Sequence, residues 1–294
     1  MSVSAACISI DDPESLARIY PHQNEKHFPI VLGQMRQRIQ LVKTWGIQPG
    51  ERVLEIGCGQ GDCTVALAAA VGNSGHVTAI DPASLDYGSP YTLGEAQAHL
   101  RASPIGSRIT FEQADPLAFL PRNTETYTTA VLAQCIWYFA SPSTLSAILS
   151  ALALRVQRIC VSEYALVAGD PRAAPHVLAV LAQAALECRK PTSESNVRTV
   201  MAPREIRSAA EVAGLRTVSE ERIVPPEDMY DGRWEVGAVL ADEFESEIRE
   251  SVANERERAV VFAMRDAVRS AADSVKLKGE SVHTMDIWIA TFAK

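Results

Sequence analysis

The stretch VLEIGCGQG at residues 53–61 decides how this sequence is expected to fold. The mostly apolar residues 52–56 are typical of a buried strand, and the small-residue segment 62–71 after the glycines is typical of a helix. Three glycines between them allow a sharp turn and a close approach of the backbone to a ligand, because a Cβ would occupy that space. The stretch therefore predicts a strand, a ligand-binding turn and a helix.

Strands and helices continue to alternate after this unit. Such alternation predicts right-handed βαβ units, in which helices cover both faces of a mainly parallel sheet. A sheet of this kind binds its ligands at the carboxyl ends of its strands. The further elements predicted in this part of the chain are strands at 76–80, 109–113, 129–133 and 158–162 and helices at 92–102 and 142–154.

Both ends of the chain add to this α/β core. Helical spacing of apolar residues over 12–45 predicts two helices, and we expect residues 1–48 to form an N-terminal helical lid. Residues 49–294 are expected to form the main domain, with helical cap insertions at about 165–202 and 225–282. The elements predicted here are helices at 174–189 and 203–213, a charged helical segment at 242–270, and the last two strands at 216–224 and 284–292.

Asp81 follows Gly61 by 20 residues, at the end of the next predicted strand. A carboxylate at this place can accept hydrogen bonds from both ribose hydroxyls of a nucleoside. The dinucleotide fingerprint has a glycine where this sequence has Asp62, and a carboxylate there would repel a pyrophosphate. Glu55 is equally unfavourable for an anion and suits a ligand that carries an ammonium and a sulfonium. The sequence therefore favours a nucleoside with a cationic end over a nicotinamide dinucleotide.

These motifs resemble those of the class I S-adenosylmethionine-dependent methyltransferases. The resemblance rests on the E-x-G-x-G-x-G run, on Asp81 and on QADP at 113–116, and it covers roughly residues 50–165. The segment YPHQNEKH at 20–27 adds a similarity to fungal small-molecule methyltransferases. The family implies a Rossmann-like, mainly parallel seven-stranded sheet with an antiparallel last strand, and the segment 285–289 suits that strand.

The family also implies how a cofactor is held. The glycine loop lies under the methionine part, Asp81 holds the ribose, Asp115 meets the adenine amino group, and Gln134 contacts the methionine end. Taken singly, Asp81 or Asp115 would more simply mark a turn or a helix cap, but their combination with the glycines points to a cofactor site. The residues expected to bind S-adenosylmethionine are Tyr20, Glu55, Gly57, Cys58, Gly59, Gly61, Asp81, Pro82, Ala114, Asp115, Pro116 and Gln134.

Methyl transfer from a sulfonium is an in-line displacement, so positioning and exclusion of water can supply much of the catalysis. Aromatic faces near the methyl group stabilise the cationic centre, and Trp137 and Tyr138 follow the fourth strand where they can do so. Tyr20 is expected to close over the site. An aromatic residue at a strand end more often serves packing, which is the alternative for Trp137 and Tyr138. His22 and His176 are further candidates for contact with the acceptor.

A hydroxyl or ammonium acceptor benefits from a general base, for which a histidine or a buried carboxylate is suitable. His27, in the N-terminal segment, and Glu163, at the end of the fifth strand, are the first candidates. Each has a structural role as its alternative. The histidines are scattered, and Cys58 and Cys63 have no matching pair elsewhere, so no metal site is expected, although carboxylate ligands alone would be hard to recognise.

Composition limits the partners. The 294 residues carry a formal net charge of −8 without any cluster of lysine and arginine, so nucleic acid is not expected as a substrate. Pro142 divides the uncharged run 126–154 into a strand and a helix, which favours core over a membrane span. Six dispersed cysteines and the absence of a secretory signal indicate a cytoplasmic protein. The sequence leaves open whether it is a monomer or a homodimer.

The expected activity is methylation of an O, N or C atom of a small-molecule acceptor, with S-adenosylhomocysteine as the product. Three alternatives stay open at this stage. The chain could use the bound cofactor in a rearrangement or as a regulatory partner, it could methylate a protein, or it could be a nicotinamide oxidoreductase. The intact glycine loop argues against the first of these, and Asp62 argues against the last.

Overall fold

A computed structural model describes residues 8–190, 192–193 and 195–294. Within them, seven strands form one sheet in the order β3-β2-β1-β4-β5-β7-β6. The strands are β1 (Arg52–Ile56), β2 (His76–Asp81), β3 (Ile109–Gln113), β4 (Thr129–Ala133), β5 (Arg158–Tyr164), β6 (Arg216–Ile223) and β7 (Ile287–Ala293).

The sheet is parallel except for β7. Strands β1 to β5 pair in parallel, whereas β7 lies antiparallel between β5 and β6, with Ser162 opposite Ile289. The last two strands are thus joined through a long helical insertion and not through a tight turn. This confirms the predicted Rossmann-like α/β sheet with an antiparallel last strand, and it places the carboxyl ends of β1, β2, β4 and β5 side by side.

The helices begin where the sequence supplies caps. Thr92 and Glu95 form the capping box expected from their spacing, since each side chain accepts a backbone N–H of the other residue. At the starts of other helices a single cap side chain accepts backbone N–H groups, as Asp12, Asp115, Ser141 and Asn254 do. The helices are α1 (Pro13–Ile19), α2 (Phe28–Thr44), α3 (Asp62–Val71), α4 (Leu93–Arg101), α5 (Pro116–Arg122), α6 (Pro142–Leu152), α7 (Ala174–Glu187), α8 (Pro203–Val212), α9 (Asp231–Leu240), α10 (Asp242–Ser251) and α11 (Glu255–Leu277).

Two apolar layers enclose the sheet. Helices α1, α2 and α3 cover one face, with Leu41, Val53 and Leu67 in the buried core. Helices α6 and α8 cover the other face, where Leu132 and Phe292 are fully buried. The N-terminal segment therefore contributes α2 to the core of the main domain in addition to any role above the site.

A third apolar cluster belongs to the cap. Helices α7, α9, α10 and α11 share a core that includes Leu186, Val239, Ile248 and Val268. The charged segment at 242–270, expected as one helical stretch, is two helices, because Val252 leaves the helical conformation and Asn254 starts α11. Helix α9 was not predicted from the sequence as a separate helix. Part of the predicted lid, residues 1–7 with Cys7, and the cap residues Pro191 and Glu194 lie outside the described residues.

None of the helices in the described part of the chain is long and apolar enough to cross a membrane. The run 126–154, which raised that question, contributes strand β4 and helix α6. Its apolar side chains pack within the sheet and against it, with Leu145 and Leu149 fully buried. The interpretation of this run as core is therefore confirmed.

Leu132→Ala tests the packing of the sheet. Leu132 is fully buried on the central strand β4, so the substitution is expected to lower the free energy of unfolding by about 2–5 kcal/mol. Leu154→Ala is the matched control, since Leu154 is 78% exposed and its truncation is expected to change that energy by less than about 0.5 kcal/mol. Urea unfolding followed by circular dichroism measures both, and equal effects would contradict the described core.

Candidate active site

The turn after β1 is shaped by two glycines with different surroundings. Gly57 has φ +73°, and a Cβ on it would lie 2.6 Å from Cβ of Cys135. Gly59 has φ +50°, and a Cβ on it would meet no atom within 4 Å. Gly57 thus allows the turn to pack against the loop after β4, whereas Gly59 borders open space. Such a space beside exposed backbone is what a bound ligand requires.

Asp81 joins the end of β2 to this turn. Its Oδ2 accepts a hydrogen bond from the Gly59 N–H and its Oδ1 accepts one from the Ala83 N–H, each at 2.9 Å. The Asp81 carbonyl accepts the N–H of Ala114, also at 2.9 Å, so the ends of β2 and β3 meet at this point. The carboxylate remains half-buried. The structure therefore brings the glycine turn, Asp81 and Ala114 together, as expected.

Asp115 and the residues around it start helix α5. The Asp115 carboxylate accepts the N–H groups of Leu117 and Ala118, which leaves its second oxygen without a partner among the described residues. Pro116 is buried beneath it, and Pro82 is exposed beyond β2. Asp115 therefore caps a helix and still presents a carboxylate oxygen at the edge where the sequence expects adenine.

Arg38, which sequence reasoning missed, links helix α2 to the turn. Its Nε donates to Asp62 at 2.7 Å, and its Nη1 donates to Oε1 of Gln134. Burial lowers the pKa of the guanidinium, but the charges of Asp62 and, less strongly, Asp231 raise it above its usual value. Arg38 thus stays charged at the end of β4.

The side-chain NH2 groups of two glutamines next to Arg38 lack hydrogen-bond acceptors. Nε2 of Gln134 and Nε2 of Gln37 are buried, and neither makes a hydrogen bond within the described residues. Gln134 also has φ +50°, an uncommon conformation for a residue with a side chain. Buried donors without acceptors are costly, so a ligand with acceptor oxygens fits beside them. No sequence signal for Arg38 or Gln37 was available, because both are single polar residues within the helical pattern of α2.

Glu55 lies beneath the turn and not in it. Alternation along β1 directs its side chain toward α3, where it accepts a hydrogen bond from Thr64 at 2.5 Å and is only 1% exposed. Burial raises its pKa to about 8. The direct cofactor contact expected of Glu55 does not fit this position. Cys58 is likewise buried, and burial raises the pKa of its thiol.

Glu163 holds the loop that follows β4. Its Oε2 accepts hydrogen bonds from the N–H groups of Ile136 and Trp137, and its Oε1 accepts one from the N–H of the adjacent Tyr164. It is 1% exposed, and burial raises its pKa to about 7. Trp137 is buried with its Nε1 donating to the Met201 carbonyl, whereas Tyr138 is 45% exposed. Of these candidates, only Tyr138 presents an open aromatic surface.

The cap adds a polar wall above β5. The Tyr164 hydroxyl donates to Asp231 on α9 at 2.8 Å, and its ring contacts those of Trp137 and His176, with centroids 5.5 and 5.2 Å away. His176 is fully buried behind Tyr164, and its Nδ1 accepts the Met285 N–H. Burial lowers the pKa of His176 to about 3, so it is neutral. This position gives His176 a packing role in place of the expected acceptor contact.

The N-terminal segment reaches the glycine turn through Tyr20. The Tyr20 hydroxyl donates to Gln60 at 3.0 Å, and Gln60 donates to the Tyr91 carbonyl at 2.6 Å. A cavity of about 320 Å³ opens beside this contact and is lined by Tyr20, His22 and Tyr91 among others. His27 is exposed at the N-cap position of α2, and its side chain makes no capping hydrogen bond. The two candidate bases, His27 and Glu163, thus differ sharply in exposure.

The described residues contain no group of three or more His, Cys, Asp or Glu arranged to hold a metal ion. Cys58 and Cys63 are both buried and free. The polar groups at the turn are instead hydrogen-bond donors, one guanidinium and half-buried carboxylates. This set suits a nucleoside with an amino-acid end, because a carboxylate such as Asp81 can accept hydrogen bonds from ribose hydroxyls and the donors near Arg38 can bind a carboxylate.

Comparison with known proteins gives the same class. A methyltransferase-domain family model matches residues 53–156. Methyltransferase phomM′ of Diaporthe leptostromiformis is 30% identical, with the match covering 92% of this chain and 86% of that protein. A cyclopropane-fatty-acyl-phospholipid synthase-like protein from Lactobacillus casei is 27% identical and superimposes with a TM-score of 0.83 over 97% of this chain and 99% of that one. The cyclase SpnF, at 13% identity, TM-score 0.53 and 88% and 81% coverage, shares the fold alone.

The fold and the site therefore define a class I S-adenosylmethionine-dependent methyltransferase. The chain belongs to this family, and it is similar over nearly its full length to a fungal methyltransferase. S-adenosylmethionine supplies an activated methyl group, and the open space at Gly59 together with the unpaired amide donors of Gln37 and Gln134 fits that molecule. The nicotinamide alternative is thereby set aside.

Glu55→Gln tests the buried carboxyl. Folding raises the pKa of Glu55 from 4.5 to about 8, so the stability that its protonated form contributes is fully present below about pH 4.5 and is lost as the pH rises from there through 8. The free energy of unfolding should fall between about pH 5.5 and 7.5, and the variant should reduce this fall by up to about 1.4 kcal/mol per pH unit. Part of the pH dependence should remain in the variant, because burial also raises the pKa of Glu163, to about 7.

Denaturant midpoints measured across this range give the slope. Glu211→Gln, an exposed position on α8, is the matched control and should retain the slope of the parent protein. An unchanged slope in Glu55→Gln would show that Glu55 is ionised in the folded protein throughout the range.

Proposed function

We propose that this enzyme methylates an O, N or C atom of a small molecule held between the carboxyl ends of the strands and the helical cap. The observation that carries the proposal is the position of Tyr138. Its ring is 45% exposed at the end of the short turn Ile136–Tyr138, in the loop after β4 that packs against the glycine turn at Gly57. An open aromatic surface beside the cofactor turn suits an organic acceptor, and similarity to a fungal methyltransferase supports a metabolite acceptor.

The residues that would hold the cofactor divide by chemistry. Asp81 accepts hydrogen bonds from a ribose, and Asp115 accepts one from an adenine amino group. Arg38 and the free amide of Gln134 donate to a carboxylate, the group for which a guanidinium is best suited. Gly59 leaves room for the chain between these two ends. Tyr20, bonded to Gln60, closes the outer side as part of an N-terminal lid.

Catalysis would depend on orientation more than on a reactive side chain. The acceptor atom must approach the methyl carbon along the axis of the bond that breaks, and binding between the strand ends and the cap would fix this approach while limiting water. Tyr138 presents a ring beside the cationic centre. Glu163 acts as a positioning residue, because two of its backbone hydrogen bonds, from Ile136 and Trp137, hold the loop that also carries Tyr138. His27 is too exposed to be favoured as the base.

The acceptor class is tested by following a labelled methyl group. Extract from the source cells is divided by ultrafiltration, and the purified enzyme is incubated with each fraction and methyl-labelled S-adenosylmethionine. Label should appear in the small-molecule fraction together with S-adenosylhomocysteine. Label confined to the protein fraction would contradict the proposal and favour a protein methyltransferase, and cofactor binding without any transfer would favour a rearrangement or regulatory role.

Gly59→Ala tests the proposed cofactor contact. Alanine at φ +50° costs about 1–2 kcal/mol of stability, and its methyl group projects into the space proposed for the cofactor. Affinity for S-adenosylhomocysteine should therefore fall by at least about tenfold, or 1.4 kcal/mol. Calorimetric titration of the folded protein gives this affinity directly.

The matched control is Gly279→Ala. Gly279 has φ +73° and also has no atom within 4 Å of a built Cβ, but it lies after α11, outside the turn. It should lose similar stability and keep its affinity for S-adenosylhomocysteine. Equal affinity in the two variants would remove Gly59 from the cofactor site.

A further inference from the structure

Helix α2 packs against the segment that leads into the cap helix α9. A Cβ on Gly33 would lie 2.6 Å from the carbonyl oxygen of Asp228, and Arg36 forms an ion pair with the Asp228 carboxylate at 3.0 Å. Gln37 lies one helical turn after Gly33, on the same face of α2. Asp231 begins α9, three residues after Asp228. The face of α2 that carries Gln37 therefore meets the start of the cap.

A tyrosine holds the start of α9 at the carboxyl end of the sheet. The Tyr164 hydroxyl donates to Oδ1 of Asp231 at 2.8 Å, and Tyr164 is the last residue of β5. The neighbouring strand β4 ends one residue before Gln134. A Cβ on Gly57 would lie 2.6 Å from Cβ of Cys135, the residue after Gln134. Asp231 is thus held beside the strand end that packs against the glycine turn.

Four buried polar atoms where α2, the end of β4 and the entry to α9 meet have no hydrogen-bond partner within the described residues. Two are donors, Nε2 of Gln37 and Nε2 of Gln134. Two are acceptors, Oδ1 of Asp228 and Oδ2 of Asp231. The Oε1 atoms of both glutamines accept from the same nitrogen of Arg38, so their free NH2 groups lie close together. Such a set is costly unless a ligand offers both acceptors and donors to it.

The charges at this place leave room for one further cation. Burial lowers the pKa of Arg38, whereas the charges of Asp62 and Asp231 raise it, so the guanidinium faces two carboxylates. It donates to Asp62 at 2.7 Å, and it forms no ion pair with Asp231 in the described part of the chain. Asp228 is already paired with Arg36. Asp231 is therefore the carboxylate that can take an ammonium group as its ion-pair partner.

We propose that Asp231 binds the ammonium group of the methionine end of S-adenosylmethionine, while the free NH2 groups of Gln37 and Gln134 bind its carboxylate. The inference rests on the proposed function and adds Asp231 and Gln37 to the residues that hold this end of the cofactor. An amino acid carries both charged groups on one carbon, so it satisfies donors and acceptors that lie side by side. The cap thereby contacts the cofactor itself.

Asp231 also has a structural role, because it binds the Tyr164 hydroxyl. That role uses Oδ1 alone and leaves Oδ2 free. Asp231→Asn separates the two roles. Asparagine has the same shape and keeps a carbonyl oxygen that can accept the Tyr164 hydroxyl, but it lacks the negative charge that an ammonium requires.

The test measures the affinities of three nucleosides by calorimetric titration. S-adenosylhomocysteine carries both charged groups, its des-amino analogue carries only the carboxylate, and 5′-methylthioadenosine carries neither. The parent protein should bind S-adenosylhomocysteine at least about tenfold more tightly than the des-amino analogue. Asp231→Asn should lose most of this preference and still prefer the des-amino analogue to methylthioadenosine.

Two further variants make the result specific. Glu235→Gln is the matched control, because Glu235 lies one turn after Asp231 on α9 but is bonded to Gln183 at 2.5 Å. It should keep the preference of the parent protein for S-adenosylhomocysteine. Gln37→Met removes a carboxylate donor, so it should weaken binding of both carboxylate-bearing nucleosides and leave methylthioadenosine unaffected.

The outcomes separate this inference from the proposed function. Equal binding of S-adenosylhomocysteine and its des-amino analogue by the parent protein overturns the inference alone, as does a full preference in Asp231→Asn or an equal loss in Glu235→Gln. Circular dichroism checks that each variant is folded. Should Asp231→Asn not fold, Gln37→Met decides, since unchanged binding of the carboxylate-bearing nucleosides there also overturns the inference. If no nucleoside binds to the parent protein, the proposed function fails as well.

Discussion

The ion pair between Arg38 and Asp62 is the contact on which the architecture of the site depends. Arg38 belongs to α2 in the N-terminal segment, and Asp62 is the first residue of the helix that follows the glycine turn. The guanidinium also binds Gln134 at the end of β4. One cation thus fixes three separate parts of the chain around the same opening, and it places a fixed positive charge there.

Negative groups dominate the rest of the opening. Asp81 lies at the end of β2 beside the glycine turn, Glu163 beneath the loop after β4, and Asp231 and Glu235 on the cap. A sulfonium is a cation held in a poorly hydrated cleft, and surrounding carboxylates offset the loss of its hydration. The same field opposes polyanionic ligands, in agreement with the absence of a pyrophosphate fingerprint in the glycine turn.

The sheet could be predicted from sequence because its strands are apolar runs separated by clear turn signals, and β1 to β4 begin at the residues expected. The conformation of the glycine turn was equally predictable, since positive φ values favour glycine. Glu55 and His176 were placed less well, because the alternation of β1 and the burial of α7 turn their side chains into the core. Arg38 and Asp231 were missed, since only tertiary packing brings single polar residues of two helices to the ends of β4 and β5.

The most direct measurement compares S-adenosylhomocysteine with 5′-methylthioadenosine, which lacks the amino-acid end, in the parent protein and in Arg38→Met. If Arg38 binds the methionine carboxylate, the parent protein prefers S-adenosylhomocysteine, and Arg38→Met loses that preference while still binding methylthioadenosine. Retention of the full preference in Arg38→Met would contradict the account, as would an equal loss of affinity for both nucleosides.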